Sequence, residues 1–137
     1  MRKLSYLKES ELEISQRAER IRTEIALLEL QKAEIERNEV VAPLGCYVAR
    51  YQARGQKHRY WYYQLRASSA IFPKTNKENE YSRFQHLGKA GSSAHIDGVL
   101  AVVKRNQIDE LTRAIENLKE SWSDLYSDED SSGHRVK

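Results

Sequence analysis

Apolar residues recur along the first third of the chain with a seven-residue period. Leu7, Ile14, Ile21, Leu28 and Ile35 form one row; Leu4, Ala18 and Ile25 form a second, interrupted by Glu11 and Lys32. Rows offset by three and four residues share one stripe of an α-helix, and a heptad repeat sustained this long is the pattern of a coiled-coil seam. Glu, Arg, Lys and Gln fill most other positions and suit a solvated helix surface. The spacing predicts a helix over residues 4–38, about 50 Å long at ~1.5 Å per residue, stopped by Asn38, Pro43 and Gly45. A second helix is predicted over 93–126, with Ser92 or Ser93 as N-cap. Its seam is Ile108, Leu111, Ile115, Leu118, Trp122 and Leu125. Its first turns carry a broader apolar face, Ile96, Val99, Leu100, Val102 and Val103, of the kind that packs on a sheet.

Between the helices the period changes from seven to two. Strands are predicted at 46–53, 59–67 and 81–87. The turn Arg54-Gly55-Gln56-Lys57 joins the first two, and 68–80, with Pro73, Asn76 and Asn79, is expected to be a long mobile loop. Side chains alternate across a strand. One consistent solution places Tyr51, Trp61, Tyr63, Leu65 and Phe84 inside, against Ile96, Val99, Leu100 and Val103. The outer face then carries Arg50, Gln52, Tyr60, Tyr62, Gln64, Arg66, Arg83 and Gln85.

The expected architecture is α+β: a long antiparallel, coiled-coil-like helical hairpin with a small three-stranded antiparallel sheet inserted at its tip. Its parts are an N-terminal helix (1–40), a Tyr-rich β segment (46–91), a C-terminal helix (92–126) and an acidic, disordered tail (127–137). Helices that pair between two chains are the competing arrangement. The polar interruptions of the first seam favour a specific homodimer through the helices.

Charge sharpens this picture. Residues 1–45 carry a net −1 and residues 92–137 a net −3, whereas 46–91 carry +7, with only Glu78 and Glu80 against nine Lys and Arg. An acid-poor basic middle third points to an anionic partner. Arg50, Gln52, Gln64, Arg66, Arg83 and Gln85 have the donors and acceptors that read base edges. Tyr60 and Tyr62 have hydroxyls for phosphates and rings for stacking. Arg54, Lys57, His58 and Arg59 around the turn, with Lys74, Lys77 and Lys89, are placed to hold a phosphate backbone.

The runs Tyr47-Val48-Ala49-Arg50-Tyr51, Tyr60-Trp61-Tyr62-Tyr63-Gln64-Leu65-Arg66 and Tyr81-Ser82-Arg83-Phe84-Gln85-His86-Leu87-Gly88-Lys89, followed by a helix, resemble a known class. They are similar to the three-stranded-sheet DNA-binding domains of the AP2 type and of phage-integrase arm-binding segments, over about residues 46–105. In that class the sheet lies in the major groove and a helix braces its back. The resemblance implies that Arg50, Gln52, Gln64, Arg66 and Arg83 face the bases. The long loop before the third strand and the long first helix depart from it.

Other chemistries lack residues. Cys46, His58, His86, His95 and His134 have no metal-ligand spacing, and Cys46 has no nucleophile motif around it. Gly88-Lys89-Ala90-Gly91-Ser92-Ser93 is a glycine turn without a phosphate-loop pattern. The chain is therefore expected to be a non-enzymatic binder of nucleic acid, duplex DNA in particular, needing no cofactor or metal. The alternative is a coiled-coil adaptor whose β tip docks a partner protein. The single cysteine suggests a reducing compartment. The charged N-terminus and the want of any apolar run of about 18 residues suggest a cytoplasmic protein with no integral membrane association.

Overall fold

A computed structural model describes residues 2–54 and 58–131, with side chains over 10–54 and 58–127. Residues 127–131, expected to belong to the disordered acidic tail, continue the second helix; the rest of that tail, the turn residues Gly55, Gln56 and Lys57, and the side chains of Leu4 and Leu7 lie outside the described residues. The fold is α+β. The element order is α1 (Arg2–Asn38), β1 (Tyr47–Arg54), β2 (Arg59–Arg66), β3 (Phe72–Pro73), β4 (Tyr81–Ser82), β5 (Phe84–Lys89) and α2 (Ser93–Ser131). Antiparallel strands β1-β2-β5 form one sheet and β3-β4 a second, two-stranded one. No described helix is long and apolar enough to cross a membrane.

The chain divides into two compact units, and the division falls inside both helices, near residues 35 and 107. The first unit is purely helical. Along α1 its less exposed positions are Ile14, Ala18, Ile21, Ile25, Leu28, Lys32 and Ile35, the row the heptads mark, while the residues between them are exposed. Ala18 is only 3% exposed, and Ile108 and Ile115 of α2 are buried with it as the unit's core. Polar contacts between the helices include the Arg22 guanidinium 4.9 Å from the Trp122 ring centre and Lys119 Nζ 3.8 Å from Glu29 Oε2. Later residues of α1 thus meet earlier residues of α2.

The second unit, residues 36–107, holds the sheets. Its core is Ala42, Cys46, Leu65, Phe72, Leu87 and Ala101, with Val48, Tyr63, Ala67 and Val102 packed around it. Ser92 is the N-cap of α2: its Oγ accepts from the His95 amide at 3.2 Å and donates to the Leu87 carbonyl at 3.3 Å. Gly88, at φ +106°, makes the turn that brings these groups together; a Cβ there would sit 3.1 Å from Ser92 Oγ. The segment after α1 is tied to α2 by the Ala42 amide donating to the Ala101 carbonyl (3.0 Å) and by Arg105 Nε donating to the Ala42 carbonyl (2.8 Å).

Residues 68–80, expected to be a loop, contain a short paired strand. Phe72 pairs with Ser82, Pro73 with Tyr81, and the Lys74 amide donates to the Glu80 carbonyl at 2.9 Å. Asn76 and Asn79 take the left-handed conformations that close this loop, which asparagine tolerates better than most residues. The third predicted strand correspondingly divides: 81–82 pairs with β3, and only 84–89 joins the main sheet.

Gly98 marks the close approach of α2 to the sheet. A Cβ at this position would fall 2.7 Å and 3.0 Å from the two Leu87 methyls. Alanine is ordinarily worth about 1 kcal/mol more than glycine inside a helix. Here Leu87 is buried and overpacking costs roughly 1–3 kcal/mol. Gly98→Ala is therefore expected to lower the melting temperature, the reverse of what helix propensity gives.

Cys46 is buried, and burial pushes its thiol pKa up, partly offset by the Arg105 guanidinium. A pKa raised on folding contributes stability below the ordinary thiol range, and that contribution is lost as pH rises through it. The native thiol is expected to alkylate far more slowly than the unfolded one near neutral pH. The melting temperature is expected to fall as pH is raised past about 9.

Candidate nucleic-acid interface

Strand pairing decides which side chains share a face. In β1 and β2, Val48 faces Leu65, Arg50 faces Tyr63, Tyr51 faces Tyr62 and Gln52 faces Trp61. Arg54 pairs with Arg59, so four residues connect the strands and facing residues have opposite parity. The expectation that Tyr51 sits with Trp61 and Tyr63 is off by one residue. Such a slip moves a whole strand to the other face. Arg50 and Gln52 therefore lie on the helix side of the sheet with Trp61, Tyr63 and Leu65. Tyr51 lies on the open side with Tyr60, Tyr62, Gln64 and Arg66. In β5 the register shifts at Tyr63/Gln64, a bulge, after which Gln64 faces His86, Leu65 faces Gln85 and Arg66 faces Phe84. Phe84 is thus on the open side and Gln85 on the helix side, each opposite to expectation.

The open face is aromatic and cationic. Tyr51 and Tyr62 stack with ring centres 5.9 Å apart, and His86 lies 5.6 Å from Tyr62. The Tyr51 hydroxyl and His86 Nδ1 are in hydrogen-bond contact at 3.0 Å. Lys89 Nζ sits 5.1 Å above the Tyr60 ring, and Arg66 and Arg83 flank Phe84 at 5.9 Å. The Gln64 side-chain oxygen, with the amide oriented to satisfy both groups, accepts from Arg66 Nε at 2.8 Å and Nη2 at 3.1 Å. These rings hold one another upright and leave edges and ammonium or guanidinium groups to solvent.

The β1–β2 hairpin also outreaches β5. Pairing with β5 covers Tyr62–Arg66 only, so Gln52–Arg54 and Arg59–Trp61 form a two-stranded ribbon, exposed except for the half-buried Ala53. On its helix side Arg50 lies 4.0 Å over the Trp61 ring, and Arg54 pairs with Arg59 at the end. Trp61 is 43% exposed and is no core residue. The apolar row of α2 is equally displaced: Ile96, Leu100 and Val103 are exposed, and Gly98, Ala101, Val102 and His95 meet the sheet and its core. His95 Nδ1 accepts from the Gly91 amide at 3.0 Å, and its ring stacks on Tyr63 at 3.9 Å. Trp61→Ala is accordingly expected to cost about 1–2 kcal/mol, well below the ~3–5 of a fully buried aromatic. Chemical denaturation of the variant measures this.

Of the residues predicted to bind, the structure gathers Tyr60, Tyr62, Gln64, Arg66 and Lys89 on the open face. Arg50, Gln52, Arg54 and Arg59 line the helix side of the ribbon, Gln85 stands near the sheet's β5 edge, and Arg83 lies between β4 and β5. Lys57 lies outside the described residues. Tyr51, Phe84 and His86 join the open face although the sequence reading left them out. The even connection between β1 and β2 and the glycine in β5 are the signals that could have placed them. Neither β1, β2 nor β5 contains an acid. Among the described residues no ion pair engages Arg50, Arg54, Arg59, Arg66, Arg83 or Lys89, whereas Lys74 is matched by Glu80 at 3.7 Å. The described residues contain no cluster of His, Cys, Asp and Glu that would hold a metal ion. No family model matches the chain, and no curated protein or solved structure matches it at a significant level.

Proposed function

We propose that the chain binds nucleic acid, duplex DNA in particular, with the open face of its sheet and the projecting β1–β2 ribbon. The observation that carries this reading is the set of cations, Arg54 and Arg59 on the ribbon and Arg66 and Lys89 on the open face, that no ion pair engages among the described residues and whose strands contain no acid. Buried neighbours do not account for these charges, and a polyanion would neutralise them. The B-DNA major groove admits a two-stranded ribbon, whose arginines then reach phosphates at the rims and base edges at the floor. Gln64 and Arg66, already oriented by their mutual hydrogen bonds, are the pair best suited to direct readout. The Tyr51–Tyr62–His86 cluster gives the sheet a stiff surface against the backbone. The two helices would pair as an antiparallel coiled-coil hairpin and brace the domain.

The test is titration of labelled duplexes into the full chain across a salt series. Binding at low salt whose affinity falls steeply with added salt, with a slope of about −0.9 per phosphate contact, supports the proposal. No binding at low salt overturns it. Equal affinity for all duplexes would reduce the role to backbone binding, and preference for single strands would shift it to the aromatic rings.

A further inference from the structure

The first turns of α2 carry an apolar row that its own sheet leaves bare. Ile96 is 46% exposed, Leu100 53% and Val103 42%, at spacings of four and three residues that align them along one side of the helix. Gly98, Ala101 and Arg105 occupy the opposite side, against Leu87, the unit's core and Ala42. The row is thus the outer surface of the second unit's helix. It is a different surface from the α1 seam.

Charge identifies the occupant. Asp97 and Lys104 lie seven residues apart on the same flank of the row, on either side of Leu100. When two copies of a helix pack antiparallel about a two-fold axis, each flank meets the same flank of the other copy. Asp97 of one copy then meets Lys104 of the other, and the pairing occurs twice. In a parallel pair this flank would instead meet the other one, where Val99 and Asn106 offer neither charge a carboxylate or ammonium and His95 and Val102 are turned to the sheet. Lys104 Nζ lies 3.9 Å from Glu39, a loose contact between partly exposed groups that leaves the ammonium within reach of a second carboxylate.

We propose that the protein self-associates through this row as an antiparallel, two-fold pair centred near Leu100, with Ile96 of each copy against Val103 of the other. The surface is self-complementary in shape and in charge, as an isologous interface requires. Because the row and the sheet lie on opposite sides of α2, the paired copies carry their open faces outward. The proposal does not depend on nucleic-acid binding.

Sedimentation equilibrium of the full chain over a wide concentration range tests it, with melting curves recorded for each variant. The mass is expected to rise from 16.0 kDa toward twice that value. Leu100→Glu, at an exposed site, should keep near wild-type melting and remain a single chain throughout. Asp97→Lys should weaken association several-fold, and the double change Asp97→Lys with Lys104→Glu should recover much of the loss. A constant single-chain mass for the wild type overturns the proposal. So does association that survives Leu100→Glu, or a double swap that recovers nothing lost to the single one.

Discussion

Replacing Phe72 with alanine is expected to destabilise the second unit by about 3–5 kcal/mol, the usual cost of truncating a buried phenylalanine. Phe72 is 7% exposed and is the largest side chain among the buried core residues of that unit. Its neighbours Ala42, Cys46 and Ala101 are small and fill little of the space it would leave. The loss is a large share of what holds a domain of this size together. It should also release residues 68–80, since the Phe72 pairing with Ser82 is part of what closes that loop. Trp61 and Trp122 lie in different units, so Trp61 fluorescence in a Trp122→Phe background follows the second unit. A Phe72→Ala protein with an unchanged denaturation midpoint would show that the pairing and the burial contribute little.

The largest effect on binding is expected from neutralising Arg54, Arg59 and Lys89 together with glutamine. All three are exposed, so stability should stay within about 0.5 kcal/mol of wild type. If each holds one phosphate, the slope of log affinity against log salt should become shallower by about 2.7, and affinity near 0.1 M salt should drop roughly a hundred- to a thousand-fold. An unchanged slope would show that these cations face solvent when nucleic acid is bound.

The helices were legible because their signal is long. Period-seven spacing is repeated often enough that single exceptions such as Lys32 do not blur it, and Lys32 indeed occupies a half-buried seam position with an aliphatic stem. Ser92 or Ser93 as a cap, the positions of the first two strands and the acid-poor basic third were also readable. The faces of the sheet were not. Alternation within Tyr60–Arg66 is clear, but a strand of mixed Tyr, Arg and Gln has no single apolar face to fix its register against its neighbour. The side of β1 therefore rested on the length of the connection, and the side of β5 on a bulge. Phe72 escaped notice because a strand of two residues has no period and a lone aromatic in a polar stretch looks like loop. Exposure of Ile96, Leu100 and Val103 was unforeseen because Gly98 and Ala101, small and unremarkable in sequence, are what allow α2 to approach the sheet with its other side.

Among the described residues the strand β1 pairs on one side only, with β2. An open edge of this kind recruits other open edges, and natural sheets discourage it by placing charge there. Arg50 and Arg54 on β1 repel the same residues of any second chain that approaches edge to edge. The arginines proposed to grip a polyanion would then also keep the protein from polymerising through its own sheet. A bound polyanion cancels that repulsion, so saturation with nucleic acid would remove the barrier to edge-to-edge aggregation that these charges supply.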